Sequence, residues 1–354
     1  MRTATILVVD NDVAGRRTLT DDLQARSYEV LEADDAARLY SLQRIVGSSP
    51  AIVTLRHRVA RVAVSPAPTI LLSGESGAGK NLVARVVHYI SDRAAMPFVT
   101  ISCAAPEPLL EHELFGHERG AFADAPARKK GLLELADGGT IFLDEVAAMA
   151  PPLQAQLLRV LEEKRFTSAG GTAHVDVDVR LIAATTRNLE EEVAAQRFRA
   201  DLFSRLNVLA ISMPPLRSHP EDVPLLVESF IDAFNQEFGK HVLGATSAAY
   251  RLLQAYGWPG NVREVRNVVE RAMLLADRDR LDLRDFPLMS SSLADAAAFE
   301  LPPGGVDLET LERSLLVQAL RRCSGNQTRA GILLGLNRDQ IRYRIEKFRI
   351  TAAP

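Results

Sequence analysis

Between residues 45 and 215 the chain alternates two hydrophobic rhythms: short continuous apolar runs, and longer stretches whose apolar positions recur at helical spacing. Thr69-Ile70-Leu71-Leu72 and Thr140-Ile141-Phe142-Leu143 are of the first kind, and Leu82 to Val87 is of the second. Continuous runs suit strands buried on both faces, so the pattern predicts an α/β fold with a parallel sheet and helices on both sides. Residues 216 to 287 read as helical, with Pro214-Pro215 and Trp258-Pro259-Gly260 as punctuation. Met289 to Gly305, rich in Ser, Ala, Pro and Gly, predicts a linker. Asp307 to Ile350 predicts three helical segments broken at Ser324-Gly325 and Gly335-Leu336-Asn337, with Ile341, Ile345 and Phe348 facing a small core. At the start, a strand from Thr5 to Val9, an amphipathic helix through Leu19 and Leu23 and a strand near Tyr28 to Leu31 are expected. The predicted divisions are 1–40, 41–215, 216–287, a linker at 288–305, and 306–354.

At 354 residues and 47% hydrophobic, the chain exceeds a single core. The net charge of −3 hides an asymmetry, since residues 319 to 350 carry eight Arg or Lys against Asp339 and Glu346. That basic end favours a polyanion. No apolar run has membrane-spanning length, no signal peptide is present, and Cys103 and Cys323 form no disulfide framework, so a cytoplasmic protein is expected.

The first apolar run leads into Gly74-Glu75-Ser76-Gly77-Ala78-Gly79-Lys80. Glycines there let backbone N–H groups turn around an anion, the following helix adds its positive end, and Lys80 reaches the outer phosphates. The second run ends in Asp144-Glu145. Asp144 would hold magnesium through water, and Glu145 would orient and polarise an attacking water. ATP and Mg2+ are the expected cofactors. Asn81 stands where a magnesium-binding Ser or Thr commonly follows the lysine.

The first 36 residues resemble the opening of a response-regulator receiver domain, with Asp10-Asn11-Asp12 as its acidic pocket. The chain then passes through Ala36 to Leu42 into Ile45-Val46-Gly47-Ser48, and no phosphoacceptor strand follows. Such a truncated receiver, from a two-component system, implies lost phosphorylation control.

Nearly all of the chain from Ile45 to Ile350 resembles the bacterial enhancer-binding proteins, the AAA+ activators of sigma-54 RNA polymerase. The resemblance rests on the phosphate loop, Glu113-Leu114-Phe115-Gly116-His117-Glu118, Ala136 to Glu145, Phe198-Arg199-Ala200-Asp201-Leu202, Arg205-Leu206-Asn207-Val208 and Trp258-Pro259-Gly260-Asn261-Val262-Arg263-Glu264. It implies an AAA+ ATPase subdomain, a helical lid and a Fis-like helix-turn-helix. Dimers would assemble into a hexameric or heptameric ring. Arg199 and Arg205 match arginine fingers acting on the neighbouring subunit's nucleotide, and Arg263 matches a sensor arginine acting in cis.

The departures fall elsewhere. The loop that touches sigma-54 in that family reads Gly120-Ala121-Phe122-Ala123-Asp124-Ala125, with Ala and Asp where the family has Thr and Gly. Ser102 and Thr186 replace two asparagines on the relay between nucleotide and loop, and a hydroxyl lacks an amide's paired donor and acceptor.

Residues 319 to 350 resemble the Fis-like helix-turn-helix through Ala319-Leu320, Gly325-Asn326, Ala330 and Leu333-Leu334-Gly335-Leu336. Arg338, Gln340, Arg342, Tyr343, Arg344 and Lys347 would then meet double-stranded DNA. The leading expectation is a DNA-binding AAA+ ATPase of the sigma-54 type. The alternative within it is an ATP- and DNA-binding regulator that does not remodel sigma-54 polymerase. A nucleotide-gated DNA-binding scaffold and a nucleic-acid motor are the competing classes.

Overall fold

A computed structural model of the chain describes residues 5–7, 29–31, 40–119, 128–286 and most of 307–350. It divides into two compact units, Met1–Ser290 and Ser291–Pro354. In the first, β1 (Thr5–Leu7) and β2 (Glu29–Leu31) pair in parallel. The predicted helix between them and Asp10-Asn11-Asp12 lie outside the described residues.

From residue 50 onward, strands and helices alternate: α1 (Pro50–Ala63), β3 (Thr69–Ser73), α2 (Lys80–Tyr89), β4 (Phe98–Ser102) and α3 (Glu107–Phe115). A short antiparallel stem, β5 (Gly116–His117) with β6 (Lys129–Lys130), brackets the loop expected to contact sigma-54, whose residues Gly120 to Ala125 are outside the described ones. Next come α4 (Leu132–Leu135), β7 (Thr140–Asp144), α5 (Pro151–Glu163) and a hairpin of β8 (Arg165–Thr167) and β9 (His174–Asp176). The subdomain closes with β10 (Arg180–Thr185), α6 (Leu189–Ala194), α7 (Ala200–Leu206) and β11 (Ala210–Ser212).

The main sheet has the order β11-β3-β10-β7-β4, every pairing parallel. Alternation splits its side chains into two cores. Leu71, Ile141, Leu143, Leu181 and Ala183 pack with α3, α5 and α7 on one side. Ile70, Leu72, Phe142, Ile182, Ala184 and Ile211 pack with α1 and α2 on the other. All five carboxyl ends therefore point to one edge, where open α/β sheets place their ligands.

The lid follows as α8 (Val223–Phe238), α9 (Ser247–Ala255) and α10 (Asn261–Leu275), around a core of its own that includes Phe234, Trp258, Val265 and Val269. Gly239, at φ +64°, ends α8, and the Thr246 hydroxyl caps α9.

The second unit contains α11 (Leu308–Arg322) and α12 (Arg338–Lys347), with Leu316, Ala319, Leu320, Ala330 and Ile341 buried between them. Ile345 and Phe348 pack against that core. Ser324-Gly325, Gly335, Asn337 and the linker at 288–305 lie outside the described residues.

Candidate functional site

The loop from Gly74 to Lys80 leaves β3 and enters α2 at the carboxyl edge. Gly74, Gly77 and Gly79 all have positive φ, the geometry that turns successive N–H groups toward one point. Lys80 is 7% exposed, and its Nζ donates to the carbonyls of Gly74 at 2.7 Å and Glu75 at 3.0 Å. Burial pulls its pKa below the ordinary range, while Glu145 and Asp144 push it back up. Asn81 lines the same cavity, and its side-chain oxygen accepts a hydrogen bond from Arg85 Nε at 3.1 Å.

Asp144 ends β7, and Glu145 follows it with φ +56°, a strained setting for a non-glycine residue. Burial and the neighbouring Glu145 carboxylate both raise the Asp144 pKa, against Lys80, which lowers it. Glu145 Oε1 lies 4.0 Å from Lys80 Nζ. Its Oε2 accepts from the Thr186 hydroxyl at 2.8 Å and the Thr186 N–H at 3.1 Å. Thr186 is presented by a turn just past β10, where Thr185 Oγ1 bonds both the carbonyl and the N–H of Arg187. Ser102 stands opposite Asp144 in the β4–β7 register, with its side chain exposed.

The lid closes the same site. Arg263 Nη1 donates to Ser76 Oγ at 2.9 Å, and the Arg263 N–H reaches the Gly77 carbonyl. Glu75 turns its carboxylate to the lid side, taking both Nη atoms of Arg217 at 2.6 and 2.7 Å. These bonds, with one from Asn261, lower its pKa to about 2. Arg217 and Asn261 were not among the residues expected from sequence. Neither was Asp222, wholly buried, which accepts from Ser48 N–H, Ser49 N–H and Ser49 Oγ and pairs with His219. A cavity of about 700 Å3 joins these parts. Lys80, Asp144, Glu145 and Arg263 line one end; Ile45, Val46, Leu226 and Phe230 give the other an apolar lining.

Arg199 and Arg205 do not line that cavity. Arg199 is ion-paired with Asp201 at 2.7 Å, and Arg205 donates to the Leu161 carbonyl. Both are exposed. In the second unit, Arg344 and Lys347 turn toward Glu312 and Glu309 of α11, at 2.5 and 2.8 Å. Arg342 and Tyr343 are exposed on α12, as is Gln340, and Arg338 begins that helix.

Three family models match in succession: a sigma-54 interaction domain over residues 45–212, an AAA+ ATPase lid domain over 217–298, and the Fis family of bacterial regulatory proteins over 307–348. The transcriptional regulatory protein ZraR of Salmonella typhimurium is 44% identical over 306 residues, covering 86% of this chain and 68% of the relative. The chain belongs to the sigma-54 family of AAA+ transcriptional regulators. AtoC of Escherichia coli, another regulatory protein, is 40% identical over 316 residues, 87% of this chain and 68% of its own. Crystal structures of NtrX from Brucella abortus, solved with ADP and with ATP, superpose at TM-score 0.64 and 32% identity. They cover 98% of this chain and 84% or 83% of theirs. The parallel sheet, helical lid and C-terminal helical unit agree with that membership. This family member is a DNA-binding AAA+ ATPase that regulates transcription, and no described helix is long and apolar enough to cross a membrane.

Proposed function

We propose that the chain hydrolyses ATP in the cavity beneath the lid and applies that cycle, from a DNA-bound position in the cytoplasm, to sigma-54 RNA polymerase. The observation that carries the reading is the convergence of Lys80, Asp144, Glu145 and Arg263 on one cavity at the carboxyl edge of the sheet. Lys80 neutralises phosphate charge, and Glu145, oriented by Thr186, holds and polarises the attacking water. The donor set fits a magnesium ion: two adjacent carboxylates share a half-buried site where burial and repulsion already disfavour the charged form of Asp144. Asp144 would hold that ion, which neutralises charge on the phosphates when bound.

Arg199 and Arg205, exposed and away from their own cavity, suit a ring in which each serves the adjacent subunit's nucleotide. Gln340, Arg342 and Tyr343 supply the exposed donors for the major groove, with Arg338 at the head of the same helix. Arg344 and Lys347 would swing from Glu312 and Glu309 to phosphates. The receiver-like start, whose sequence offers no phosphoacceptor strand before Ile45, would leave the ATPase outside phosphorylation control.

A second reading has its own support in Ala123-Asp124, where a hydroxyl and a flexible glycine are missing from the sigma-contact loop. In that reading, DNA and ATP binding regulate transcription without remodelling sigma-54 polymerase. One assay separates them: ATP-dependent open-complex formation by sigma-54 polymerase at a promoter carrying the chain's site. Activity with the native loop supports the first reading. Activity appearing only in Ala123→Thr/Asp124→Gly supports the second. Absence of phosphate release altogether would sink the first.

A further inference from the structure

Asn261 is wholly buried and sits at φ +52°, one residue beyond a turn in which Trp258 is also left-handed, at φ +47°. Asparagine tolerates that region better than other non-glycine residues, but the setting still costs free energy, so the surroundings must hold it there. Its amide spans three segments. Oδ1 accepts from the Leu216 N–H at 2.8 Å, on the connector between the sheet and the lid. Nδ2 donates at 3.1 Å to Glu75 Oε2 and at 3.1 Å to the Ser76 carbonyl, both in the phosphate loop. The Asn261 backbone begins α10, which carries Arg263 two residues later.

The contact is tight as well as bonded. A β-carbon on Gly77 would collide with the Gly260 carbonyl, so the phosphate loop and the lid turn meet backbone to backbone. The exposed Arg217 grips Glu75 with both terminal guanidinium nitrogens. Arg263 is thereby fixed at both ends: its N–H on the Gly77 carbonyl and its guanidinium on Ser76 Oγ.

We infer that Asn261, assisted by the Glu75–Arg217 pair, is a positioning residue that sets Arg263 against the phosphates and makes the start of the lid move with the phosphate loop. In this role Glu75 acts through the lid, because its carboxylate is already engaged by Arg217 and Asn261. The inference rests on the ATP-site reading above, and its test separates the two.

The full chain is titrated with a fluorescent ATP analogue and magnesium, and each variant is first checked for a cooperative thermal melt. Lys80→Ala tests the site reading itself and is expected to abolish binding. Arg263→Ala is expected to weaken binding about tenfold, as loss of one charge-assisted contact does. Asn261→Gly keeps the left-handed backbone and removes only the amide, and is expected to weaken binding by a similar factor. The double variant Asn261→Gly/Arg263→Ala should then bind no worse than Arg263→Ala alone, since the two act as one unit. Should Asn261→Gly fail to fold, the exposed Arg217→Ala takes its place, with Arg217→Lys restoring part of the loss. Additive losses would mean that Asn261 supports only the fold, and an unchanged affinity would mean that it supports nothing at the site. Either overturns the proposal while Lys80→Ala leaves the site reading standing. Unchanged binding in Arg263→Ala overturns it too, and unchanged binding in Lys80→Ala removes the site reading first.

Discussion

The two halves of the proposed ATP site are built in opposite ways. Lys80 and Asn261 are buried, and Lys80, Asn261 and Glu145 each hold two or more hydrogen bonds to neighbouring segments of the same protomer. Arg199 and Arg205 stand beside and on the short helix α7 with exposed side chains, the Arg199 guanidinium paired with a side chain two residues away and that of Arg205 with a carbonyl of α5. Preorganised groups suit chemistry that must not wait for reorganisation, because fixed dipoles stabilise charge without rearranging. Loosely held cations suit a role that a second subunit completes.

The largest test breaks the two halves apart. Arg205→Ala or Arg199→Ala should lower ATP hydrolysis on the order of a thousandfold while nucleotide affinity stays near normal. Mixing either variant with Lys80→Ala subunits should then restore part of the turnover, because one of the two orientations of a mixed interface pairs an intact pocket with an intact arginine. Failure of complementation would place the arginines in their own protomer's site. Glu145→Gln comes next, with hydrolysis expected to fall about a hundredfold and ATP still bound, measured as phosphate release against nucleotide titration. Thr186→Val removes the hydroxyl and spares the N–H to Glu145, so roughly a tenfold loss in kcat with little change in KM is expected. An equal change in KM would mean that Thr186 serves nucleotide binding instead.

The smallest effect concerns what lies beneath the buried half. His88 on α2 is buried, its Nδ1 against Thr140 Oγ1 of β7, and burial lowers its pKa to about 4 from an ordinary 6.5. The unfolded chain therefore takes up this proton first as the pH falls. Its contribution to stability is complete above 6.5 and is lost progressively toward 4. Melting temperature should decline between pH 6.5 and 5, and His88→Phe should flatten that slope.

The buried half was legible in sequence only where its chemistry is local. Gly74 to Lys80 is one contiguous loop, and Asp144-Glu145 ends one apolar run, so spacing alone exposes both. The partners that fix them are distant: Asn261 meets Glu75 across 186 positions, Arg217 meets it across 142, and Asp222 meets Ser49 across 173. No periodicity records such pairings. Trp258-Pro259-Gly260 marks a turn, which was visible, but which loop that turn would touch depends on the sheet order. Thr186 was recognisable as a departure, whereas its double hold on Glu145 depends on β10 lying beside β7. Arg344 and Lys347 read as free donors for DNA because their acidic partners sit on another helix.

The backbone contact between Gly77 and Gly260 has a consequence for how this chain can vary. In a population of variants selected only for being folded, with no demand for ATP binding, position 77 should stay glycine, because any side chain there pries the lid from the sheet subdomain. Much of what looks like a nucleotide signature at that position is then an architectural constraint, which a descendant that had lost ATP altogether would still carry.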